Sequence, residues 1–220
     1  MMWLKQDEKW NGLGGGLPKD DSDYLQSLAQ KIARPGMIGF DIGCFTGGTA
    51  SYVWPVFKQN GGHLYCVDWF KGNVDSVVGE FQWGNYPAER VLIQLLKNIE
   101  DGEGLGCVSV VVAESWRLAE IIADNVADYV YIGGDHRYSE IKKDITAWLQ
   151  KIRLGGVLCG HAFDKDVEDG SRDWVEMCEE PEKDYYDSHD VHFGVVRAVH
   201  ELLSGYQLGG REIWSYRKPG

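Results

Sequence analysis

The sequence predicts a doubly wound α/β domain built around a mostly parallel β-sheet. Short runs rich in β-branched and aromatic residues alternate with segments of helical periodicity, a pattern typical of strands joined by helical crossovers. A chain of 220 residues is long enough for one such domain with a full hydrophobic core. We therefore expect a single domain over residues 21–220, preceded by a glycine-rich leader over residues 1–20.

Five apolar segments are predicted strands, and most of them are flanked by glycine or an acidic residue. In chain order they read MIGFDI, HLYCVD, CVSVVVA, DYVYIG and GGVLCGH, at residues 37–42, 63–68, 107–113, 128–133 and 155–161. Ser22 or Asp23 is predicted to cap the first helix, which the RPG sequence at residues 34–36 closes. Apolar residues at spacings of three and four predict the clearest helix, from about Tyr138 to Ile152.

The composition narrows the class of protein. A hydrophobic content of 44% with 25% charged residues is typical of a globular protein, and a formal net charge of −12 disfavours nucleic acid as a partner. The amino terminus has no apolar stretch long enough for a signal peptide, and no segment approaches membrane-spanning length. We expect a cytoplasmic protein without a membrane partner. The five cysteines form no C-x-x-C pair, which predicts neither a disulfide framework nor a cysteine zinc site.

One acidic segment, Asp164 to Asp190, interrupts the alternation of strands and helices. It contains 12 acidic and 3 basic residues and is predicted to be an insertion or lid over the site of a small-molecule acceptor. Its aromatic residues, with the acids, suit a sugar, a glycoside or a cationic acceptor. The run DSHDVH at residues 187–192 has the density of a transition-metal site, but a solvated loop is the favoured interpretation.

The segment GFDIGCFTGGTA, Gly39 to Ala50, predicts a glycine turn between the first strand and the next helix. It lacks the lysine of a P-loop, and Phe45 occupies the position of the second glycine of a dinucleotide-binding turn. These two departures disfavour nucleotide triphosphates and dinucleotides. The remaining pattern, D-x-G-x-x-x-G, places an acid at the strand end before a narrow turn, which suits a cationic ligand without phosphates.

Acidic residues also end the next two strands. Asp68 lies where an acid accepts both hydroxyls of a ribose, and Glu114 is predicted to accept from an adenine amino group with Ser115 and Trp116 at the ring. Ribose, adenine and a cationic amino-acid tail together indicate S-adenosylmethionine. The alternative is that these acids are a helix cap, a turn former and a surface residue. The predicted cofactor-binding residues are Asp41, Gly43, Cys44, Phe45, Gly47, Asp68, Trp69, Glu114, Ser115 and Trp116.

The sequence resembles the class I S-adenosylmethionine-dependent methyltransferases, in the branch of the macrolide-sugar and rhamnosyl O-methyltransferases and the cephalosporin hydroxylase-like proteins. The resemblance covers most of the chain and rests on FDIGCFTGGTA, VDWFKG, YIGGDHRYSEIKKDITAWLQKIRLGGVLCGHAFD and the late GVVRAVHEL before IWSYRK. It implies a Rossmann-like, seven-stranded sheet with a late antiparallel strand. It also implies methyl transfer to a hydroxyl of a small molecule or sugar.

Two departures from the family's pattern concern a metal. The family usually has I-D-G-D-H-x-Y after the fourth strand and G-H-D after the fifth, and those acids hold a divalent cation. Gly133 and Ala162 replace two of the acids here, so a family-type magnesium site is not predicted. Asp135, His161 and Asp164 are the candidates for a rearranged site, in which imidazole ligands would suit zinc, manganese or iron.

The resemblance assigns His136 as the general base, beside Asp135, and histidine chemistry suits proton removal from an attacking hydroxyl. A histidine that binds the backbone of its own turn is the structural alternative. The replaced acids leave open a cofactor-binding protein that has lost catalysis, and the acidic segment leaves open an interaction module.

Tyr138 and Lys142 form the Y-x-x-x-K dyad of short-chain dehydrogenases. An NAD(P)-dependent oxidoreductase is therefore a minor alternative, which Phe45 disfavours. Exposed aromatic residues near the amino terminus favour a homodimer.

Overall fold

The structure is a computed structural model that describes residues 16–71, 87–100, 106–163 and 192–220. The acidic segment at 164–190 and most of the predicted leader lie outside the described residues. The described helices and strands follow one another as α1 (Lys19–Lys31), β1 (Ile38–Ile42), α2 (Gly48–Gln59), β2 (His63–Asp68), α3 (Ala88–Glu100), β3 (Val108–Val112), α4 (Ser115–Ile121), β4 (Ala127–Ile132), α5 (Tyr138–Lys151), β5 (Ile152–Gly160), α6 (Phe193–Leu202), β6 (Gln207–Gly209) and β7 (Ile213–Arg217).

The strands form one seven-stranded sheet in the order β3-β2-β1-β4-β5-β7-β6. β1 pairs in parallel with β2 and β4, β2 with β3, and β4 with β5, whereas β7 is antiparallel to β5 and β6. The predicted fold class, with its late antiparallel strand, is confirmed. Strand order reverses between β1 and β4, and open α/β sheets bind ligands beside the carboxyl ends of the strands at such a point.

Each face of the sheet carries its own hydrophobic core, which is what a doubly wound fold requires. One core takes buried residues from α1, α2 and α3, and the other takes them from α4, α5 and α6. Phe40 and Trp148 of the second core pack with ring centroids 4.7 Å apart. The predicted apolar stripe of α5 is buried at Ile141, Ile145 and Trp148.

The amino ends of β1 and β4 are fastened together by the buried carboxylate of Asp128. It accepts hydrogen bonds from Arg34 (2.6 Å and 3.1 Å) and from the Ile38 N–H (2.8 Å), and it also pairs with Arg153. Burial alone would raise the pKa of Asp128, but these hydrogen bonds outweigh it and hold the pKa below its ordinary value. These contacts of Asp128 lie at the amino ends of the strands, whereas the glycine turn lies at the carboxyl end of β1.

Element boundaries differ from the predictions at two places. α1 begins at Lys19 after Pro18, not at a cap formed by Ser22, whose hydroxyl instead donates to the Lys19 carbonyl inside the helix. Proline at a helix start and acids in the first turn explain the earlier beginning. β5 begins at Ile152, directly after α5. Among the described residues, no helix is long and apolar enough to cross a membrane.

Candidate active site

The glycine turn lies at the carboxyl end of β1, against the ends of its two neighbouring strands. The N–H groups of Gly43 and Cys44 donate to the Val67 carbonyl of β2, at 2.8 Å and 3.2 Å. Gly43 has φ of +72°, and a Cβ there would lie 2.5 Å from the Gly134 Cα after β4. Gly47 is also left-handed, with φ of +82°. Only glycine meets both demands at position 43, the left-handed conformation and the close backbone approach.

Asp41 lies beneath this turn, with 0% of its surface exposed. Burial raises the pKa of Asp41 to about 8, an effect that the Ala50 N–H in the first turn of α2 partly offsets. Neither carboxyl oxygen has a partner of full hydrogen-bond geometry among the described residues. The raised pKa favours the protonated form of the Asp41 carboxyl. That Asp41 contacts a bound cation stays a prediction.

Asp68 joins the end of β2 to the glycine turn. One carboxylate oxygen accepts the Phe45 N–H at 2.9 Å, and the other accepts the Phe70 N–H at 2.8 Å. Both phenylalanines are left-handed, with φ of +45° and +55°. Burial raises the pKa of Asp68, and the backbone hydrogen bonds lower it again in part. A carboxylate has about four lone-pair positions, so Asp68 retains acceptor capacity for ligand hydroxyls. Trp69, half-buried, follows directly.

The predicted adenine-binding residues begin α4, after the end of β3. Glu114 is ion-paired with Arg117, whose guanidinium also lies 4.9 Å from the centre of the Trp116 ring. The Ser115 hydroxyl accepts the indole N–H of Trp148 at 2.8 Å. Ser115 is therefore tied to the core beneath the site, whereas Glu114 and Trp116 are half-buried at its surface.

Asp144 of α5 is a second buried acid near this end of the sheet. Burial raises its pKa to about 7, although a hydrogen bond from Ser115 lowers it and the negative charges of Glu140 and Asp135 raise it further. The sequence offered a signal for this residue, because an acid stands within the buried stripe of α5, three residues after Ile141. Asp144 is not among the predicted site residues.

The two positions that lack the family's acids are closely packed. A Cβ at Gly133 would lie 2.6 Å from Cε1 of Tyr131, a buried tyrosine of β4. Ala162 is also buried, and its backbone is left-handed with φ of +63°. The Tyr131 ring thus fills the space into which a side chain at 133 would project. Strand alternation places residues 131 and 133 on one face, which is the signal for this contact in the sequence.

Three histidine rings meet beside these positions. The Tyr131 hydroxyl and His161 Nδ1 form a hydrogen bond of 2.8 Å, and the His161 ring lies edge-to-face with His136, with centroids 4.8 Å apart. On its other side His136 faces His192, with ring centroids 4.5 Å apart and the two Nδ1 atoms at 3.2 Å. His192, expected in a solvated loop, is half-buried and packs in the site. No local pattern in the sequence predicts a pair separated by 56 residues.

Asp135 is turned toward its own loop. Its carboxylate accepts the Arg137 N–H at 2.9 Å and forms a two-pronged pair with the Arg137 guanidinium, at 2.9 Å and 2.6 Å. Within the described ranges, no group of three or more His, Cys, Asp or Glu residues is arranged to hold a metal ion. The third candidate, Asp164, lies outside the described residues, so a metal site formed by Asp135, His161 and Asp164 stays a prediction.

Tyr138 and Lys142 do contact each other, but as part of a surface cluster. The Lys142 ammonium donates to the Tyr138 hydroxyl at 2.7 Å, and that hydroxyl donates to Glu201 of α6 at 2.5 Å. Arg197 stacks on the tyrosine ring at 4.4 Å. The ionic packing of α5 on α6 accounts for this dyad without oxidoreductase chemistry.

Comparison with known proteins identifies the class to which this fold and turn belong. Residues 22–163 match the model of a family described as a methyltransferase domain, and this range is more than half of the 220-residue chain. The chain belongs to this family and is a class I S-adenosylmethionine-dependent methyltransferase.

Solved structures give the same fold at low identity. TomG from Streptomyces achromogenes, an O-methyltransferase of tomaymycin synthesis in complex with S-adenosylmethionine, is 15% identical, with a TM-score of 0.62 over 100% of this chain and 93% of that one. A protein from Corynebacterium glutamicum is 15% identical, with a TM-score of 0.60 over 93% of this chain and 84% of that one. An O-methyltransferase family protein from Burkholderia thailandensis is 16% identical, with a TM-score of 0.58 over 91% of this chain and 55% of that one.

Proposed function

We propose that this chain transfers a methyl group from S-adenosylmethionine to a hydroxyl of a small molecule, a sugar or glycoside being the favoured acceptor. The observation that carries the proposal is the Asp68 carboxylate, which draws the glycine turn and the end of β2 together through two strained backbone positions. Left-handed conformations of bulky residues cost about 1 kcal/mol or more each and are concentrated at functional sites. Phe45 and Phe70 both adopt such a conformation, and the backbone N–H of each donates to Asp68.

In this proposal Asp68 accepts the ribose hydroxyls with the lone pairs that its two backbone hydrogen bonds leave. The backbone of the turn from Gly43 to Gly47 approaches the amino-acid end of the cofactor in this proposal. A side chain at Gly43 would collide with the backbone after β4, and one at Gly47 would collide with Leu95 of α3, so both positions require glycine. Glu114 and Trp116 flank the adenine. Ser115 supports them from below through its hydrogen bond with Trp148.

S-adenosylmethionine supplies a methyl carbon that is already electrophilic on its sulfonium sulfur. When the cofactor is bound, an acceptor oxygen would displace the sulfur from that carbon, and His136 would take the hydroxyl proton. The Nε2 atom of His136 is buried, so an acceptor hydroxyl reaches it only when the residues that cover it make room. Correct positioning of the two reacting atoms supplies much of the rate.

The charge of the chain supports a small acceptor. A formal net charge of −12 opposes the approach of a phosphate backbone. Aromatic and acidic residues in the segment 164–190 have the composition of a sugar-binding lid. The assignment of an acceptor to that segment rests on the sequence.

The first test is a calorimetric titration of S-adenosylmethionine into the metal-free full chain. We expect saturable one-to-one binding, weakened about 10- to 100-fold by Asp68→Asn, because hydrogen bonds to a charged group contribute about 1.5–3 kcal/mol. Asp124→Asn, an exposed acid paired with Lys151, is the matched control and should bind normally. Absence of both heat and thermal stabilisation in the unmodified protein would exclude this cofactor site.

The second test concerns turnover. The chain is incubated with methyl-labelled S-adenosylmethionine and a panel of glycosides and phenols, and labelled products are identified by mass spectrometry. O-methyl glycosides support the proposed acceptor class. A protein that binds the cofactor but methylates no member of a broad panel matches the alternative that Gly133 and Ala162 favour, a cofactor-binding protein without catalysis.

A further inference from the structure

The contact between His136 and His192 constrains the protons of both rings. Their Nδ1 atoms lie 3.2 Å apart, a hydrogen-bond distance, and the rings stand at 79° to each other. Two bare nitrogens at this distance would repel each other, and so would two protonated ones. One ring therefore donates from Nδ1 and the other accepts at Nδ1.

The surrounding backbone holds the two rings in this arrangement. His192 precedes α6, a helix of ten residues, and its carbonyl accepts the N–H groups of Val195 and Val196 at 3.0 Å and 3.2 Å. A Cβ at Gly194 would lie 2.6 Å from the backbone nitrogen of Tyr138. The first turn of α6 is therefore in direct contact with the loop that carries His136.

The helix decides which ring donates. The amino end of a helix carries a partial positive charge, and His192 is the residue directly before α6, whereas Arg137 separates His136 from the start of α5, so an Nδ1 proton is disfavoured more strongly on His192 than on His136. His136 then donates from Nδ1 and His192 accepts. In a neutral imidazole with its proton on Nδ1, the lone pair is on Nε2.

We propose that His192 is a positioning residue that fixes the tautomer of His136. His192 accepts a hydrogen bond from the Nδ1–H group of His136. This keeps the proton on Nδ1 and leaves Nε2 of His136 unprotonated, in the form that takes the proton of an acceptor hydroxyl. A carboxylate performs this task in many histidine bases, whereas here a second imidazole from the start of α6 performs it. The inference rests on the proposed role of His136 as base.

The test is a long-range ¹⁵N–¹H correlation spectrum of the ¹⁵N-labelled full chain, treated with chelator, with His136 assigned by loss of its signals in His136→Gln. We expect a protonated Nδ1 and a bare Nε2 for His136. His192→Leu should remove that pattern, and His192→Asn, whose carbonyl oxygen can accept in place of Nδ1, should keep it. His200→Leu makes the same substitution later on α6 and should change nothing.

A His136 protonated on Nε2 in the unmodified protein overturns the proposal, even if His192→Leu fails to fold. So does a tautomer that His192→Leu leaves unchanged. Calorimetry with S-adenosylmethionine on the same samples separates this inference from the proposed function. Cofactor binding with the wrong tautomer rejects only the role of His192, and the expected tautomer without cofactor binding rejects methyl transfer.

Discussion

At the scale of single residues, the Asp68 carboxylate explains why Phe45 tolerates a conformation that normally favours glycine. Its backbone N–H donates to Asp68, and so does that of Phe70 on the other side. Hydrogen bonds to an ionised acceptor are the strong ones in proteins and can offset local backbone strain. Phe45 disfavours a dinucleotide in the sequence pattern, and in the structure its backbone N–H links the glycine turn to Asp68.

Asp41 gives a prediction about pH. Its pKa of about 8 in the folded chain lies above its ordinary 3.8, so between these values the folded state binds about one proton more than the unfolded state. The free energy of unfolding should therefore fall as pH rises through this window, by about 1.4 kcal/mol per pH unit from Asp41 alone. Asp41→Asn should remove this contribution.

Urea denaturation between pH 5 and pH 8 measures the effect of Asp41→Asn, with the exposed Asp20→Asn as control. Some decline should remain in the variant, because Asp144, with a pKa of about 7, adds a contribution of the same sign. Equal slopes for Asp41→Asn and the unmodified protein would show that Asp41 is ionised in the folded state.

Some features of the site could be predicted from short sequence patterns, and others depend on tertiary packing. Glycines at fixed spacing and acids at strand ends are local signals, and they correctly placed the turn and Asp68 on adjoining strands. The raised pKa of Asp41 was not predicted, because it results from burial by elements distant in sequence. The partnership of His136 with His192 depends likewise on how α6 packs on α5.

At the scale of elements, the contact of α6 with the β4–α5 loop depends on Gly194. A methyl group there would overlap the backbone of His136 and Tyr138, so Gly194→Ala should destabilise the fold by about 1–3 kcal/mol. Urea denaturation measures the change. Gly106→Ala, where a Cβ meets nothing within 4 Å, is the matched control. A loss in Gly194→Ala no larger than in Gly106→Ala would contradict this account.

Elements were predicted best where a single periodicity covers the whole segment. α5 was expected from about Tyr138 to Ile152 and spans Tyr138–Lys151, and all five predicted strands are present. Contacts between element ends that are distant in sequence were not predicted. The side chain of Asp21, in the first turn of α1, accepts the N–H groups of Arg211 and Glu212 before β7, a contact that no local pattern announces.

At the scale of the whole molecule, the ion pairs of Asp128 and the proposed cofactor site lie at opposite ends of the parallel strands. Asp128 joins β1, β4 and two arginines at the amino edge. Asp128→Asn should lower the free energy of unfolding by about 3 kcal/mol, because the charged partner of both arginines is lost. Affinity for S-adenosylmethionine, measured by calorimetry, should change less than threefold. Asp124→Asn should leave both quantities nearly unchanged, and a large loss of affinity in Asp128→Asn would contradict the division.

The packing of Tyr131 against Gly133 has a consequence for how this sequence can diverge. The first side-chain carbon of an aspartate at 133 would lie 2.6 Å from Cε1 of the Tyr131 ring. Tyr131 must therefore shift or be replaced when position 133 gains a side chain, and replacement by a residue without the hydroxyl also removes the hydrogen bond to His161. The two positions are therefore epistatic: the effect of an acid at 133 depends on which residue occupies 131.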